Sequence, residues 1–223
     1  KPSDHYNLDL KWDFNPTPTE LISLTAFYKL IKNPISRIEV ASAGGYLSYE
    51  NIADKATVAG VEIEIGKNLF VRPVSNAAHG MNKLSLGLNG SYIYTNAKMP
   101  LATVTTGSQL EGAAPWIVNF DLSHNFTKGE RSFVNTLVLN YVSDKIYTIG
   151  TQGYQDMMEQ GVLTLDFVSQ AKLNKHLSLN LKARNLLNPS YKLSRKANEN
   201  GEKVILNDYK KGINISLGVS CTF

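Results

Sequence analysis

The chain ends in the sequence Ile213-Asn214-Ile215-Ser216-Leu217-Gly218-Val219-Ser220-Cys221-Thr222-Phe223. Apolar and polar residues alternate here without a break, and the alternation runs into the final Phe223. A period of two predicts a β-strand whose two faces meet different surroundings. The apolar set in register is Ile213, Ile215, Leu217, Val219, Cys221 and Phe223.

The same period recurs along the chain and predicts an all-β fold. Near the N-terminus, apolar residues fill the even positions from Tyr6 to Phe14, and polar residues fill the odd positions between them. No segment shows a helical period over three turns. The predicted strands are nine: roughly 4–14, 20–32, 51–66, 83–95, 115–126, 131–143, 161–173, 176–187 and 207–223.

Composition narrows the class of protein. The chain has 223 residues, 43% of them hydrophobic, and a net charge of +4, so intrinsic disorder is not expected. The single Cys excludes an internal disulfide framework. The longest charge-free run, Leu84–Ala97, is too short and too polar for a membrane-spanning helix, which needs about 20 apolar residues. A membrane β-barrel remains open, since its strands need only about 9–11 residues each.

The connections between predicted strands alternate in length. They run 15–19, 33–50, 67–82, 96–114, 127–130, 144–160, 174–175 and 188–206. Short connections alternate with long ones, and 67–82 is the exception. Outer-membrane barrels have short periplasmic turns and long extracellular loops, whereas a soluble sandwich has no reason to alternate.

The polar face of these strands indicates contact with water. Asp9, Lys11 and Asp13 share one face of the first strand, and burying such charges unpaired costs several kcal/mol each. The apolar face then needs an extensive apolar medium, which for a wall one sheet thick is lipid. A soluble antiparallel sheet with one solvated face shows the same alternation. Aromatic residues suited to a membrane-interface girdle lie near strand ends: Tyr6, Trp12, Phe14, Tyr94, Trp116, Phe126, Tyr141 and Phe223.

Several motifs together resemble the barrel of TonB-dependent receptors in the version found in Bacteroidota. Residues 51–64 read NIADKATVAGVEIE and resemble the pattern N-x(3)-K-A-x-x-x-G-V-E-x-E. Residues 185–191 read NLLNPSY and resemble N-L-F-D-x-x-Y, with Leu187 in place of Phe and Asn188 in place of Asp. Leu165-Asp166, the terminal Phe, and Phe27-Tyr28-Lys29 with Asn33-Pro34-Ile35 also fit in order and spacing.

The resemblance implies that the chain is part of a larger transport protein in the bacterial outer membrane. Such receptors are 22-stranded barrels plugged by an N-terminal domain, and they import an iron chelate, a vitamin, a glycan or a peptide with energy relayed through the plug by the TonB complex. Residues 1–223 would form the C-terminal portion of the barrel, with the plug and the N-terminal strands absent. The resemblance implies that the terminal strand is read by the barrel-assembly machinery. A plugless porin-like or assembly-related barrel and a soluble carbohydrate-binding sandwich are the alternatives.

The topology follows from the strand count. If Phe223 ends in the periplasm, the ninth strand descends, and so does the first. Lys1 then lies near an extracellular loop. Because open sheet edges do not occur in lipid, and nine antiparallel strands do not close without a parallel seam, we expect the chain to be the C-terminal piece of a larger barrel, either nicked in a surface loop or a partial chain.

Two sets of residues are candidates for function. Charges on the lumen side, suited to contact with the plug or the substrate, are Asp9, Lys11, Glu62, Glu64, Asp121, Asp166, Lys182 and Arg184. Loop residues suited to ligand capture are Tyr46, Tyr49, Trp116, Tyr147 and Tyr154, because aromatic faces stack on sugars and flat chelates. The loop 188–206 is basic, and lipopolysaccharide is an expected partner besides membrane lipid.

Catalytic chemistry is not indicated. The sequence has no HExxH, CxxC, GxSxG or Walker A motif. His5, His79, His124 and His176 are scattered over different elements, so we expect no metal site, no cofactor and no enzymatic activity. An outer-membrane phospholipase would need a Ser–His pair beside lipid, and the His positions give none. No nucleic-acid partner is expected.

Overall fold

The computed structural model describes residues 1–40, 46–74, 80–97, 109–151, 154–197 and 201–222. Fifteen strands form within these ranges: β1 (Asp4–Phe14), β2 (Leu21–Lys32), β3 (Ile35–Glu39), β4 (Leu47–Asn51), β5 (Lys55–Pro73), β6 (Met81–Ala97), β7 (Trp116–Lys128), β8 (Arg131–Val142), β9 (Lys145–Thr148), β10 (Met157–Glu159), β11 (Val162–Lys172), β12 (Leu177–Arg184), β13 (Ser190–Lys196), β14 (Lys203–Lys210) and β15 (Asn214–Cys221). None of the described residues forms a helix long and apolar enough to cross a bilayer.

The predicted all-β wall is confirmed as one antiparallel sheet of nine strands. Its order is β1-β2-β5-β6-β7-β8-β11-β12-β15, so each strand pairs with the next predicted strand along the chain. Two smaller sheets, β3-β4 and β14-β13-β10-β9, lie in the connections. β1 and β15 are the two edges of the large sheet.

The connections fall into two groups at opposite ends of the large sheet. Residues 15–20, 74–80, 129–130 and 173–176 join strands at one end, called here the turn end. The longer connections, 33–54, 98–115, 143–161 and 185–213, begin and end at the other, the loop end. The expected exception at 67–82 was wrong, because β5 continues to Pro73 and β6 begins at Met81. Short and long connections therefore alternate throughout the sheet.

The last predicted strand was too long. Residues 207–223 do not form one strand, because β14 ends at Lys210 and Gly212 adopts a positive φ of 80° before β15 begins at Asn214. A positive φ suits Gly and breaks an extended run. Ile213 therefore precedes the strand, while Ile215, Leu217, Val219 and Cys221 lie in it, and Phe223 is outside the described residues.

The tight turn between β7 and β8 shows why the sequence reverses there. Lys128 pairs with Arg131, so only Gly129 and Glu130 lie between the strands. Gly129 has a φ of 60°. A two-residue hairpin with Gly at its first central position matches a type II′ turn, whose twist suits the flanking strands.

One face of the large sheet is apolar across all nine strands. Strand register places Leu86 opposite Leu122, Leu122 opposite Leu137, and Leu137 opposite Phe167. The same row continues through Ala183 to Ile215. Leu10 on β1 is 75% exposed and Leu217 on β15 is 71% exposed, so no described residue of the chain packs over this face at either edge.

Aromatic residues form two bands on the apolar face. Tyr92 packs against Trp116 at the loop end, with ring centroids 4.6 Å apart. Phe126 and Phe133 pair at the turn end, with centroids 6.4 Å apart. Tyr6, Tyr94 and Tyr141 lie toward the loop end, and Trp12 and Phe14 stack at the turn end. These bands have the arrangement of the girdles that border a lipid-facing belt.

The apolar face includes one polar row near the turn-end band. Register places His124 opposite Asn135 and Asn135 opposite Ser169. These groups are paired on the surface: His124 Nε2 lies 2.8 Å from Asn82 Oδ1, and the Ser169 hydroxyl donates to Asn135 Oδ1 at 2.8 Å. Pairing lowers the cost of keeping polar groups next to an apolar medium.

Gly60, in the 51–64 motif, is required by close packing. A Cβ at Gly60 would overlap the Phe27 ring of β2 and the carbonyl oxygen of Tyr92 on β6. We expect Gly60→Val to destabilise the sheet by about 1–3 kcal/mol, because the backbone oxygen cannot move aside like a flexible side chain. Gly66→Val on the same strand and face is the control, since its Cβ would meet only Leu21 N at 3.9 Å. Urea unfolding in lipid vesicles measures both, and equal loss in the two variants would contradict the packing argument.

Candidate functional site

The eight predicted lumen charges all lie on the polar face of the large sheet. Register pairs Lys11 with Thr25 and Thr25 with Glu62. Asp13 continues through Ser23 to Glu64 and Asn89 in the next row. Asp121 and Asp166 both face Val138, and Lys182 and Arg184 face Ser216 and Asn214. Asp9 shares this face of β1 with Lys11.

The lumen charges differ in their contacts. Lys11 forms an exposed ion pair with Asp13 at 3.3 Å. Asp121 lies over Gly87 of the neighbouring strand, where a Cβ would overlap its carboxylate. Glu62 and Glu64 are exposed. The face is therefore acidic around β5 and β7, and it offers carboxylates to water or to a partner inside the barrel.

Asp166 has a structural contact that the sequence did not suggest. Its carboxylate accepts a hydrogen bond from the backbone N–H of Asn185 at 2.8 Å. The Asn185 amide donates to Gly212 O at 2.7 Å, and Gly212 N–H donates to Asn188 Oδ1 at 3.0 Å. Asn185 and Asn188 have positive φ angles of 58° and 43°, which Asn tolerates better than most residues. The NLLNPSY motif thus ties together the two ends of the connection 185–213.

The long connections contact one another through backbone hydrogen bonds at the loop end. A parallel bridge joins Ile38 to Ile149, and Ile149 N–H donates to Arg37 O at 3.1 Å. Gly112 N–H donates to Ile146 O at 2.8 Å. The buried hydrophobic cluster lies at this end, where loop residues pack on the ends of β2, β5 and β6: Ile31, Ile38, Ile52, Ala53, Ala56, Ala97, Leu110, Ile146 and Ile149. The described parts of these loops therefore form a packed cap on the loop end of the wall.

Two arginines connect different loops within this cap. Arg37 of β3 pairs with Glu111 at 3.0 Å, donates to Tyr147 O at 3.0 Å, and places its guanidinium 3.8 Å from the centroid of the Tyr147 ring. Arg195 of β13 pairs with Glu39, and its guanidinium lies 5.4 Å from the Tyr154 ring. Both ion pairs are largely shielded from water, with side chains only 13–21% exposed.

The four-stranded loop sheet, β14-β13-β10-β9, has two different faces. Strand register places Glu159 opposite both Leu193 and Lys145, and Tyr191 opposite Tyr209. On the other face, Met158 is opposite Ser194 and Ile146. Ile146 belongs to the buried cluster, Met158 packs against that cluster, and Ser194 is fully buried. The polar and aromatic face is therefore turned away from the cap's core.

Two neighbouring cavities lie against that polar and aromatic face. One, of about 160 Å³, is lined by Tyr147, Glu159, Tyr191, Lys192, Leu193, Asn207 and Tyr209. The other, of about 150 Å³, shares Glu159 and Tyr191 and also touches Asn140, Val142, Val162 and Thr164 of the wall. Those four wall residues lie on the lumen face, so the loop sheet leans over the lumen side of the wall.

The structure places the predicted loop aromatic residues at different sites. Tyr147 lines the 160 Å³ cavity, and Tyr154 lies by Arg195. Tyr46 directly precedes β4 and is 70% exposed, and Tyr49 lies within β4 and is 68% exposed. Tyr49 lines a different cavity, together with Lys1 and Ile35. Trp116 begins β7 on the apolar face opposite Tyr92, so it belongs to the loop-end aromatic band.

Sequence reasoning missed most of the cavity residues. Tyr191 was visible only as the end of the NLLNPSY motif, and Tyr209 was assigned to the last barrel strand. The overlooked signal was Lys210-Lys211-Gly212, a polar break with a Gly between two alternating runs. The basic loop 188–206 is also partly neutralised, because Lys192, Arg195 and Lys203 pair with Asp208, Glu39 and Asp144.

Metal-ligating groups do not cluster in the part of the chain that the structure describes. No three His, Cys, Asp or Glu side chains come together there in a way that could hold an ion. His79 lies outside the described residues. Cys221 is exposed and free on the apolar parity of β15, opposite Leu177.

Comparison with known protein families assigns the chain. The family model described as TonB dependent receptor-like, beta-barrel matches residues 1–186, which is most of the sequence. Comparisons with curated proteins and with solved structures each found no match. The nine-stranded antiparallel wall, its apolar belt and its long loops at one end agree with that family. The chain therefore belongs to the TonB-dependent receptor-like β-barrel family of outer-membrane transport proteins.

Proposed function

We propose that residues 1–223 form the C-terminal portion of the barrel of a receptor that imports a scarce nutrient across the bacterial outer membrane, driven through TonB. The observation that carries the proposal is the position of the loop cap. The 150 Å³ cavity touches the lumen face of β8 and β11 directly, so a ligand bound there lies at the entrance of the barrel interior. Below this entrance the lumen face is polar and hydrated, as a transport path requires.

Further strands and a plug are the partners that the sheet needs. β1 and β15 each pair with a single strand among the described residues and do not pair with each other. Unpaired backbone N–H and C=O groups at such edges are costly in lipid. In the proposal, the remaining barrel strands cover both edges, and the plug meets the charges around Glu62, Glu64 and Asp121 and connects to the TonB complex.

Other partners follow from the membrane location. Lipid covers the apolar belt, and lipopolysaccharide meets the loop end in the outer leaflet. The barrel-assembly machinery recognises the alternating terminal strand through Ile215, Leu217, Val219, Cys221 and Phe223, together with Ile213 before it. Pairing with an exposed strand edge supplies the physical basis for that recognition, because an edge is a template for another strand.

A plugless pore is the second candidate function. The open polar face is compatible with it, because a porin also has a wet lumen. The packed loop cap favours the receptor over the plugless pore, since the loops at the barrel entrance pack together and form cavities. A soluble sandwich is disfavoured, because no second sheet packs over the apolar face of the described strands.

Growth under nutrient limitation tests the proposal. Cells with and without the full-length receptor are grown under limitation for iron, cobalamin, a polymeric sugar or peptide, each in strains with and without TonB. We expect loss of the receptor to slow growth under one limitation, and loss of TonB to reproduce that defect. If growth depends on the protein but persists without TonB, the plugless pore would be favoured over the TonB-driven receptor. Growth that never depends on the protein would overturn both.

A further inference from the structure

We infer that the polar and aromatic face of the loop sheet binds a neutral oligosaccharide, with Tyr209 and Tyr147 as stacking platforms. The inference rests on the proposed function and names the substrate class of the same site. It depends on four features of the two cavities: rings that are held in place, charges that are compensated, a size that fits sugar rings, and contact of one cavity with the lumen face of the wall.

The rings that line the 160 Å³ cavity are held in position. Tyr209 stacks on Tyr191, with centroids 5.5 Å apart and planes inclined by 20°. The Lys211 ammonium lies 3.8 Å from the Tyr191 ring, which fixes the inner ring of the stack. Arg37 holds Tyr147 in the same way. Rings fixed in advance lose little conformational freedom when a ligand stacks on them.

The charges that line the cavities are compensated within the protein. Glu159 pairs with Lys145 at 3.3 Å, and Lys192 pairs with Asp208 at 3.7 Å. An anionic iron chelate would need an excess of positive charge here, and the charged side chains of the lining are paired. The nearby Lys211 ammonium does not belong to the lining and lies against the Tyr191 ring. The other polar lining groups are neutral donors and acceptors: Asn140, Ser143, Gln160, Thr164 and Asn207. Aromatic faces with neutral hydrogen-bonding groups around them match the alternating apolar faces and hydroxyl edges of a sugar.

The size and adjacency of the cavities favour more than one sugar ring. Each cavity measures about 150–160 Å³, and the two share Glu159 and Tyr191 in their linings. Together they reach the lower end of the usual range for ligand pockets, about 300–1,000 Å³. Two adjoining compartments of this kind suit two linked rings, one on the tyrosine platform and one against Asn140 and Thr164 of the wall.

Calorimetry on the full-length receptor in detergent tests the inference. The neutral probes are maltotriose, cellotriose, xylotriose, mannotriose and chitotriose, and ferric citrate is the anionic comparison. We expect at least one trisaccharide to bind and ferric citrate not to bind. Tyr209→Ala should weaken that binding about tenfold or more, because it removes the platform. Tyr209→Phe should keep it within about threefold, since the ring remains.

Val204→Ala is the matched control for the fold of the loop sheet. Val204 is exposed on the same strand and does not line either cavity, so this variant should bind like the wild type. Failure of all five sugars to bind, or ferric citrate binding that depends on Tyr209, would overturn the inference. Binding that is equal in the wild type and Tyr209→Ala would also overturn it. None of these outcomes affects TonB-dependent growth, so the proposed function is judged separately.

Discussion

Leu137→Lys should prevent stable assembly of the wall, whereas Val138→Lys, one residue away, should be tolerated. Leu137 lies on the apolar face between Leu122 and Phe167, midway along β8 between the bands marked by Phe133 and Tyr141. A lysine at the midplane of a lipid-facing belt costs about 2–4 kcal/mol. The loss of stability should appear as a lower urea concentration at the midpoint of unfolding in vesicles. In gels of unheated samples, a smaller fraction of the protein should migrate as the folded band.

Val138 is the matched control for this prediction. It has similar apolar character, but it lies on the lumen face between Asp121 and Asp166. A lysine there meets two carboxylates and water, so its charge is compensated. A soluble sheet with its apolar face packed inside would also reject Leu137→Lys, but it would unfold without any dependence on lipid. Equal destabilisation by the two lysines would contradict the assignment of the faces.

Arg37→Ala should loosen the loop cap. The substitution removes the ion pair with Glu111, the hydrogen bond to Tyr147 O and the contact with the Tyr147 ring. The shielded Glu111 carboxylate then keeps only the hydrogen bond from the backbone N–H of residue 37. We expect a local loss of about 2–3 kcal/mol, because hydrogen bonds to charged groups are worth about 1.5–3 kcal/mol. Hydrogen exchange over residues 109–115 and 145–149 should become faster by about 30-fold or more.

Lys203→Ala provides the comparison for the cap. Lys203 pairs with Asp144 at 3.6 Å and so joins the connections 185–213 and 143–161, but both side chains are about half exposed. Exposed pairs contribute about 0–1 kcal/mol, so exchange in the cap should change little. If both variants exchange alike, the shielded Arg37 network does not hold the loops together.

The wall was largely predictable from the sequence. Each strand has one face toward an apolar medium and one toward water, so a period of two is visible in every segment, as in Tyr6 to Phe14. The strand order then followed from adjacency along the chain. The errors arose where local signals were weak: β5 runs on past Gly66 through a register shift between Asn68 and Phe70, which the simple alternation does not reveal.

The loop cap was much less predictable. Its strands are short, and their pairing joins segments far apart in the sequence, such as Ile38 with Ile149. No periodicity within one loop reports such contacts. Aromatic content correctly pointed to the loops as a whole, and Tyr147 does line a cavity. Trp116 shows the limit of that reasoning, because a residue at a loop edge can face either side, and only the register with Tyr92 places it on the apolar face.

Spin-label accessibility along β7 tests most directly whether the sheet is a wall between lipid and water. Cys221 is first replaced by Ser, and single labels are placed from Trp116 to Lys128 in the full-length protein in bilayers. Oxygen accessibility should peak at the even positions from 116 to 122, and accessibility to a water-soluble nickel chelate should follow the opposite phase where the lumen is open. Oxygen accessibility without a period of two, or even positions shielded from both reagents as in a packed soluble core, would contradict the account.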